Sequence, residues 1–211
     1  MHITVFGATG RTGRLVVQQA LAAGHRVTAA ARHPGAVRAA HNLQQVIVAD
    51  ITDATSVRKA IAGTDAIVSA LGSRTGRKPT TLYSAAAGAA LEAMLATGVR
   101  RIVTISAIPV TPDEHKTVVE RRLIHPLLRQ FFGGGYDDMR RMEDLLARSD
   151  RDWTVFRAPR LIDGAATGTY RTVLDALPPR ARSISRADLA AAMIAAVPAR
   201  ELFGHAVAIT Y

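Results

Sequence analysis

The chain has 211 residues, enough for one domain with a full-sized core, and its 48% hydrophobic and 21% charged composition is that of a globular protein. No apolar run reaches the roughly 18 residues that a membrane-spanning helix needs, and the absence of cysteine excludes disulfides, thiol nucleophiles and thiolate metal sites. The net charge of +10 comes from 27 basic against 17 acidic residues, almost all the basic ones arginine; it could serve nucleic acid, anionic cofactors or anionic substrates, or reflect genomic composition bias, and with no nucleic-acid motif beside it nucleic acid is not the expected partner.

Apolar runs of strand character alternate with helical patterns, the signature of parallel βαβ units. Strands are expected at Ile3–Phe6, Arg26–Ala30, Gln45–Val48, Ala66–Ala70, Arg101–Ile105, Thr154–Arg157 and Ala206–Thr210. Helices are expected near Thr12–Ala23, Ala54–Ala62, Thr81–Thr97, Asp137–Ser149 and Arg186–Val197. Gly24, Gly63 and Gly98 stand where a helix is left through a C′ glycine. Asp53 can cap the helix after it, and Ser185-Arg186-Ala187-Asp188 has the form of a capping box. The fold class is therefore α/β: a single-domain, Rossmann-like, doubly wound parallel sheet over residues 1–211. The chain opens directly on a strand pattern with no secretory leader, so a cytoplasmic location is expected.

Residues 109–135 break this rhythm as a small cap or insertion. Pro109, Pro112 and Pro126 punctuate it, and Gly133-Gly134-Gly135 close it. Within it Leu123, Leu127 and Phe131, with Ile124, Leu128 and Phe132, form an apolar helical stripe. That stripe fits packing on the body, a cap over a substrate cleft, or a protein-partner or self-association surface through 118–132.

The strand Ile3–Phe6 runs into Gly7-Ala8-Thr9-Gly10-Arg11-Thr12-Gly13 and then into a helix. This strand, glycine turn and helix is the opening unit of a dinucleotide site. One glycine permits the tight turn, the next admits the pyrophosphate, and the third lets helix and strand pack closely. The phosphates are expected on the helix N-terminus, with Gly7, Thr9, Gly10, Arg11, Thr12 and Gly13 around them. The spacing is G-x-x-G-x-x-G rather than the G-x-G-x-x-G of the dehydrogenase fingerprint.

After the second strand stands Arg32, about 20 residues beyond the glycine turn, where an arginine accommodates the 2′-phosphate of NADP(H). Its planar fork suits phosphate oxygens, and Arg38 is near enough in sequence to help. Asp50 ends the third strand; its carboxylate could accept from the adenine amino group or serve the local turn. Leu71 and Gly72 end the fourth, where small residues allow a cofactor backbone to approach. Ser106 ends the fifth strand. Ligands of open α/β sheets bind outside the carboxyl ends of strands, so Ser106 is the candidate catalytic residue, with an orienting role. A serine with no partnered base is a poor nucleophile.

Tyr136 is followed four residues later by Arg140 rather than lysine, and arginine cannot lose a proton in the working range, so Tyr136 is not assigned as an acid. The seven histidines show no metal-ligand spacing and read as surface groups, and no metal is expected. No G-x-S-x-G elbow supports hydrolase chemistry.

Together these residues resemble the atypical short-chain dehydrogenase/reductase family, and within it the NAD(P)H-binding group that includes the flavin reductase (biliverdin reductase B) and NmrA-like proteins. The resemblance covers most of the chain. Gly7–Gly13 is similar to the family's phosphate loop, Arg32 to its NADP-selecting arginine, Val48-Ala49-Asp50 to its adenine-side strand end, and Leu71-Gly72-Ser73-Arg74 to its turn after strand 4. Ser106 matches its strand 5 serine. Asp152-Trp153-Thr154-Val155-Phe156-Arg157-Ala158-Pro159, followed by Leu161-Ile162-Asp163-Gly164, is similar to the strand 6 signature, which implies that this segment, Pro159 included, borders the nicotinamide. Two departures stand out: Arg160 occupies the place of a histidine of the flavin reductases, and the Tyr/Lys pair of the wider family is missing. The resemblance implies NADP(H) as cofactor and hydride transfer to a flavin, quinone or similar small conjugated acceptor, or else a non-enzymatic NADP(H) sensor of NmrA-like type.

Overall fold

The computed structural model of the chain describes residues 1–33, 35, 37–73, 79–112 and 125–211, of which 125–133 are described as helical backbone alone. The elements, in chain order, are β1 (His2–Phe6), α1 (Arg11–Ala22), β2 (Arg26–Ala31), β3 (Leu43–Ile47), α2 (Ala54–Ile61), β4 (Ala66–Ser69), α3 (Leu82–Thr97), β5 (Arg101–Ala107), α4 (His125–Ala147), β6 (Asp152–Ala158), β7 (Arg160–Ile162), β8 (Arg171–Leu174), β9 (Ser183–Ser185), α5 (Arg186–Ala196) and β10 (His205–Thr210). Eight strands form one sheet in the order β3-β2-β1-β4-β5-β6-β10-β8, parallel except for β8, which pairs antiparallel with β10 at the edge. The short strands β7 and β9 pair separately.

Helices cover both faces, which is why β1 and β4 are buried along their whole length. On one face α1 and α5 pack Val16, Val17, Ala20, Leu189 and Met193 against Ile3, Val5, Val103 and Phe156. On the other, α2, α3 and α4 pack Val57, Ala90, Met94, Met142 and Leu146 against Phe6, Ile67, Ile102 and Val155. The crossover after β1 therefore lies on one face and the crossover after β4, its neighbour, on the other. That divergence leaves a crevice at the carboxyl ends of β1 and β4, the switch point where open α/β sheets take ligands.

Arg101 ties the opposite end together. It is buried at the start of β5, donates to the carbonyls of Ala196 (2.7 Å) and Val197 (3.0 Å) at the end of α5, to Asp152 O (2.7 Å) and to Thr154 Oγ1 (2.8 Å), and stacks 4.3 Å over the Phe203 ring. Burial pulls its pKa down to about 10.

Several local expectations change. The triple glycine does not close the insertion: α4 runs through Gly133–Gly135, and Tyr136 is a helical residue. Glycine costs a helix about 1 kcal/mol each relative to alanine, and the packing of α4 on α3 and β5 outweighs that. Pro126 sits in the first described turn of α4 rather than interrupting a helix, a place where its missing N–H is harmless. Ser185 Oγ accepts from Asp188 N at 2.9 Å as the capping box requires, but the return bond to Ser185 N comes from the Tyr211 hydroxyl, which accepts at 3.2 Å. Asp188 instead accepts from Thr167 N, Gly168 N and Tyr211 Oη (2.8, 2.9 and 2.6 Å). His2 is not a surface group: it is buried and lies 2.8 Å from Thr28 Oγ1. Asp53 caps α2 as expected, accepting from Thr55 N and Ser56 N. The stripe residues Leu123 and Ile124, and the side chains of Leu127, Leu128, Phe131 and Phe132, lie outside the described residues, and with them the surface through 118–132.

Candidate functional site: the carboxyl edge of the sheet

The glycine loop leaves β1 with Gly7 at φ +71°, a conformation that side chains disfavour. A Cβ on Gly7 would lie 2.6 Å from Ala70 O, so β4 crowds the turn from below. A Cβ on Gly13 would lie 2.0 Å from Gly7 O, because the first turn of α1 is packed directly on the loop. Gly10 is different: its backbone is extended, its N–H closes the turn onto Gly7 O at 2.9 Å, and a Cβ there would be 3.2 Å from that oxygen. Gly10 is also the N-cap of α1, and it brings no side-chain acceptor; the first turn holds no acidic residue either. The N–H groups that open α1 are therefore left for an anion, which the positive end of the helix dipole favours. An anion of pyrophosphate size is the ligand such a helix opening suits, and a side chain at Gly10 would crowd it. Thr9 is half-exposed, Arg11 exposed and Thr12 buried.

The other expected residues line the same edge. Arg32 follows β2 directly and is exposed, as is Arg38 on the loop toward β3; Gln45 Nε2 fixes that loop by donating to Val37 O at 2.9 Å. Asp50 is exposed after β3, and its Oδ1 accepts from Thr52 N (2.8 Å) and Oγ1 (2.7 Å), bonds that hold its pKa below the usual carboxylate value. Both uses weighed for Asp50 thus remain compatible, since the turn engages Oδ1. Leu71 and Gly72 follow β4 beside Gly7, and Tyr83 Oη accepts from Ser73 N at 2.8 Å. Arg74 lies outside the described residues. Pro159, half-buried, follows β6, and Arg160 is exposed at the start of β7.

Ser106 is the unusual member of this set. It is 2% exposed, yet its Oγ has no hydrogen-bond partner among the described residues, and a buried unpaired hydroxyl is costly. In the register of β5 and β6 it stands opposite Arg157, so both side chains leave the sheet toward α4. There Arg157 donates from Nη2 (2.6 Å) and Nε (3.1 Å) to Glu143 Oε2, a buried ion pair on the same rung as the orphaned hydroxyl. The sequence signalled Arg157 only through its place two residues before Pro159, and Glu143 not at all.

Tyr136 and Arg140 are one turn apart on α4. Burial raises the Tyr136 pKa, the opposite of activation, and Arg140 Nη1 is 3.4 Å from Asp137 Oδ1. Asp138, fully buried, accepts from Tyr83 N at 2.8 Å and from Ser84 Oγ, and so joins α4 to the N-terminus of α3. The sequence marked Asp163 only as part of the strand 6 resemblance and gave no sign of its ion pairs: just after β7, it receives Arg11 of α1 and, at 2.9 Å, Arg186 of α5.

A family model described as NAD(P)H-binding matches residues 7–199. Among solved structures, a protein of Burkholderia pseudomallei described as exported is 28% identical, with a TM-score of 0.83 and both chains covered in full. The anaerobilin reductase ChuY of Escherichia coli O157:H7 is 23% identical with a TM-score of 0.79, covering 100% of this chain and 97% of its own. A short-chain dehydrogenase/reductase of Veillonella parvula in complex with NADP is 12% identical with a TM-score of 0.81, covering 100% and 94%. The last two likenesses concern the fold. Among the described residues no helix is long and apolar enough to cross a membrane.

Proposed function

Because this chain belongs to the NAD(P)H-binding family, we propose that it is an NADPH-dependent oxidoreductase that reduces a flavin, a quinone or a similar conjugated acceptor. The observation that carries the reading is the buried, unpartnered Ser106 hydroxyl on the same sheet edge as the glycine cradle. Once bound, the dinucleotide supplies the hydride. Everything else falls to the protein.

In this reading the backbone of Gly7, Gly10 and Gly13 holds the pyrophosphate with Thr9, Arg11 and Thr12. Arg32, supported by Arg38, pairs with the 2′-phosphate, and this selects NADPH over NADH. Asp50 has Oδ2 for the adenine amino group. Leu71 and Gly72 admit the cofactor backbone, and Pro159 borders the nicotinamide. Ser106 Oγ then gains the partner it lacks, the carboxamide of the ring or a carbonyl of the acceptor, and orients whichever it meets. The Arg157–Glu143 pair stiffens the strand beneath it. The Veillonella relative's NADP and the E. coli relative's reductase name agree with this assignment.

The choice of acceptor follows from the weak acid chemistry. Tyr136 is a poorer proton donor here than a free tyrosine, because burial raises its pKa, and no lysine stands at position 140. Flavins and quinones need stacking and distance more than a strong protein acid. The test is NADPH oxidation under anaerobic conditions with a panel of flavins and quinones. Turnover above the buffer rate is expected with at least one acceptor. Tight NADPH binding with no turnover on any of them would replace this reading with that of an NADP(H) sensor of NmrA-like type.

A further inference from the structure

The edge proposed to bind the cofactor's phosphates already carries a negative charge of its own. Arg11 is the first residue of α1 and Arg186 the first residue of α5, and both donate to the carboxylate of Asp163. Each helix N-terminus adds a partial positive charge. Two arginines, each opening a helix, thus converge where α1 leaves the phosphate loop, with Asp163 as their shared anion.

The three side chains differ in freedom. That of Arg186 is 16% exposed, whereas those of Arg11 and Asp163 are 67% and 66% exposed. Arg186 is fixed by its surroundings and anchors the carboxylate. Arg11 is free to turn, and it follows Gly10, the cap of the helix on which a phosphate would sit. An arriving phosphate meets an arginine already engaged, and a carboxylate that Arg186 also holds.

Building on the dinucleotide reading of Gly7–Gly13, we propose that Asp163 is an internal competitor for the cofactor's phosphates, holding Arg11 as a phosphate oxygen would and thereby setting cofactor affinity. Its carboxylate lowers affinity twice over. Arg11 must be released from it, and the charge that Arg186 keeps in place repels the incoming anion. Asp163→Asn removes that charge while leaving an amide oxygen for Arg186 to bond.

The experiment is calorimetric titration of NADPH, at low ionic strength, into the wild type, Asp163→Asn, Arg11→Ala and the double variant. Asp163→Asn should bind about three- to fivefold more tightly, the scale of an exposed ion pair. The gain should fall markedly in the Arg11→Ala background, where only the relieved repulsion is left, and shrink with added salt. Equal or weaker binding by Asp163→Asn, or a gain undiminished without Arg11, overturns the proposal. Inorganic pyrophosphate, titrated in parallel, separates this inference from the reading beneath it. If no form binds NADPH but pyrophosphate shows the same ranking, the dinucleotide assignment fails and the internal competitor stands. If NADPH binds and neither ligand distinguishes Asp163→Asn from the wild type, the competitor fails and the dinucleotide assignment stands.

Discussion

Gly10 and Gly13 are three residues apart in one loop, yet their substitution should have opposite consequences. A Cβ on Gly13 would lie 2.0 Å from Gly7 O, 2.7 Å from Gly7 C and 3.0 Å from Ala8 Cα, all of them backbone atoms. Side-chain rotation relieves none of these contacts, so α1 must move off β1 by about an ångström, against the packing of Val16, Val17 and Ala20. Overpacking a core costs about 1–3 kcal/mol, and an overlap with backbone belongs at the top of that range. For a chain of this size, about 3 kcal/mol lowers the melting temperature by roughly 6–12 °C. Gly10→Val meets one oxygen at 3.2 Å and has ordinary backbone angles, so it should cost about 1 kcal/mol as a poorer N-cap. Its side chain, however, occupies the cradle. Thermal melts followed by circular dichroism, with and without NADPH, read both effects. Gly13→Ala should melt early, while Gly10→Val should melt near the wild type and gain nothing from NADPH. A Gly13→Ala protein as stable as the wild type would refute the packing argument, and a Gly10→Val protein stabilised by NADPH as much as the wild type would refute the placement of the phosphate.

Arg101→Met should destabilise the fold by about 3 kcal/mol or more in urea titrations, because it removes the buried bonds to Ala196 O, Val197 O, Asp152 O and Thr154 Oγ1 together; a loss within experimental error would show those bonds to be dispensable. Burial opposes ionisation of Asp188, but the hydrogen bonds from Tyr211, Gly168, Ser185 and Thr167 outweigh it and depress its pKa. A depressed folded pKa stabilises the protein fully above the unfolded value of about 3.9, and the contribution is lost as pH falls through the folded value. The stability gap between wild type and Asp188→Asn should therefore be wide at pH 7 and close below about pH 4; a gap independent of pH contradicts the carboxylate's role. Ser106→Ala should lower turnover of any active acceptor while leaving NADPH affinity near normal, and an affinity loss equal to the rate loss would assign Ser106 to cofactor binding instead.

What the sequence made legible follows from the range of the interactions involved. The phosphate loop is local: seven consecutive residues between a strand and a helix, its glycines demanded by contacts with Ala70 and with the loop itself. Strands buried on both faces announce themselves as apolar runs, as in Ile102-Val103. Short strands do not: Arg160–Ile162 and Ser183–Ser185 have three residues each, and Arg171–Leu174 is polar at its exposed edge. The helix through Gly133–Gly135 was hidden because glycine's local preference and the tertiary packing of α4 point in opposite directions. The ion pairs of the site were hidden for a different reason. Arg11 and Asp163 are 152 residues apart and Arg157 and Glu143 are 14 apart, so only the folded topology brings them together. Ser106 was legible as a position at a strand end, but its unpaired state, which carries the functional argument, belongs to the three-dimensional surroundings.

The central claim is that this edge binds NADPH and that Arg32 recognises its 2′-phosphate. Calorimetric titration of NADPH and NADH into the wild type and Arg32→Ala tests it most directly. The account predicts tighter binding of NADPH than NADH, and a loss in Arg32→Ala of about 1.5–3 kcal/mol for NADPH alone, the value of a charge-assisted contact. Equal affinities for the two dinucleotides, or an equal loss for both in Arg32→Ala, would contradict it.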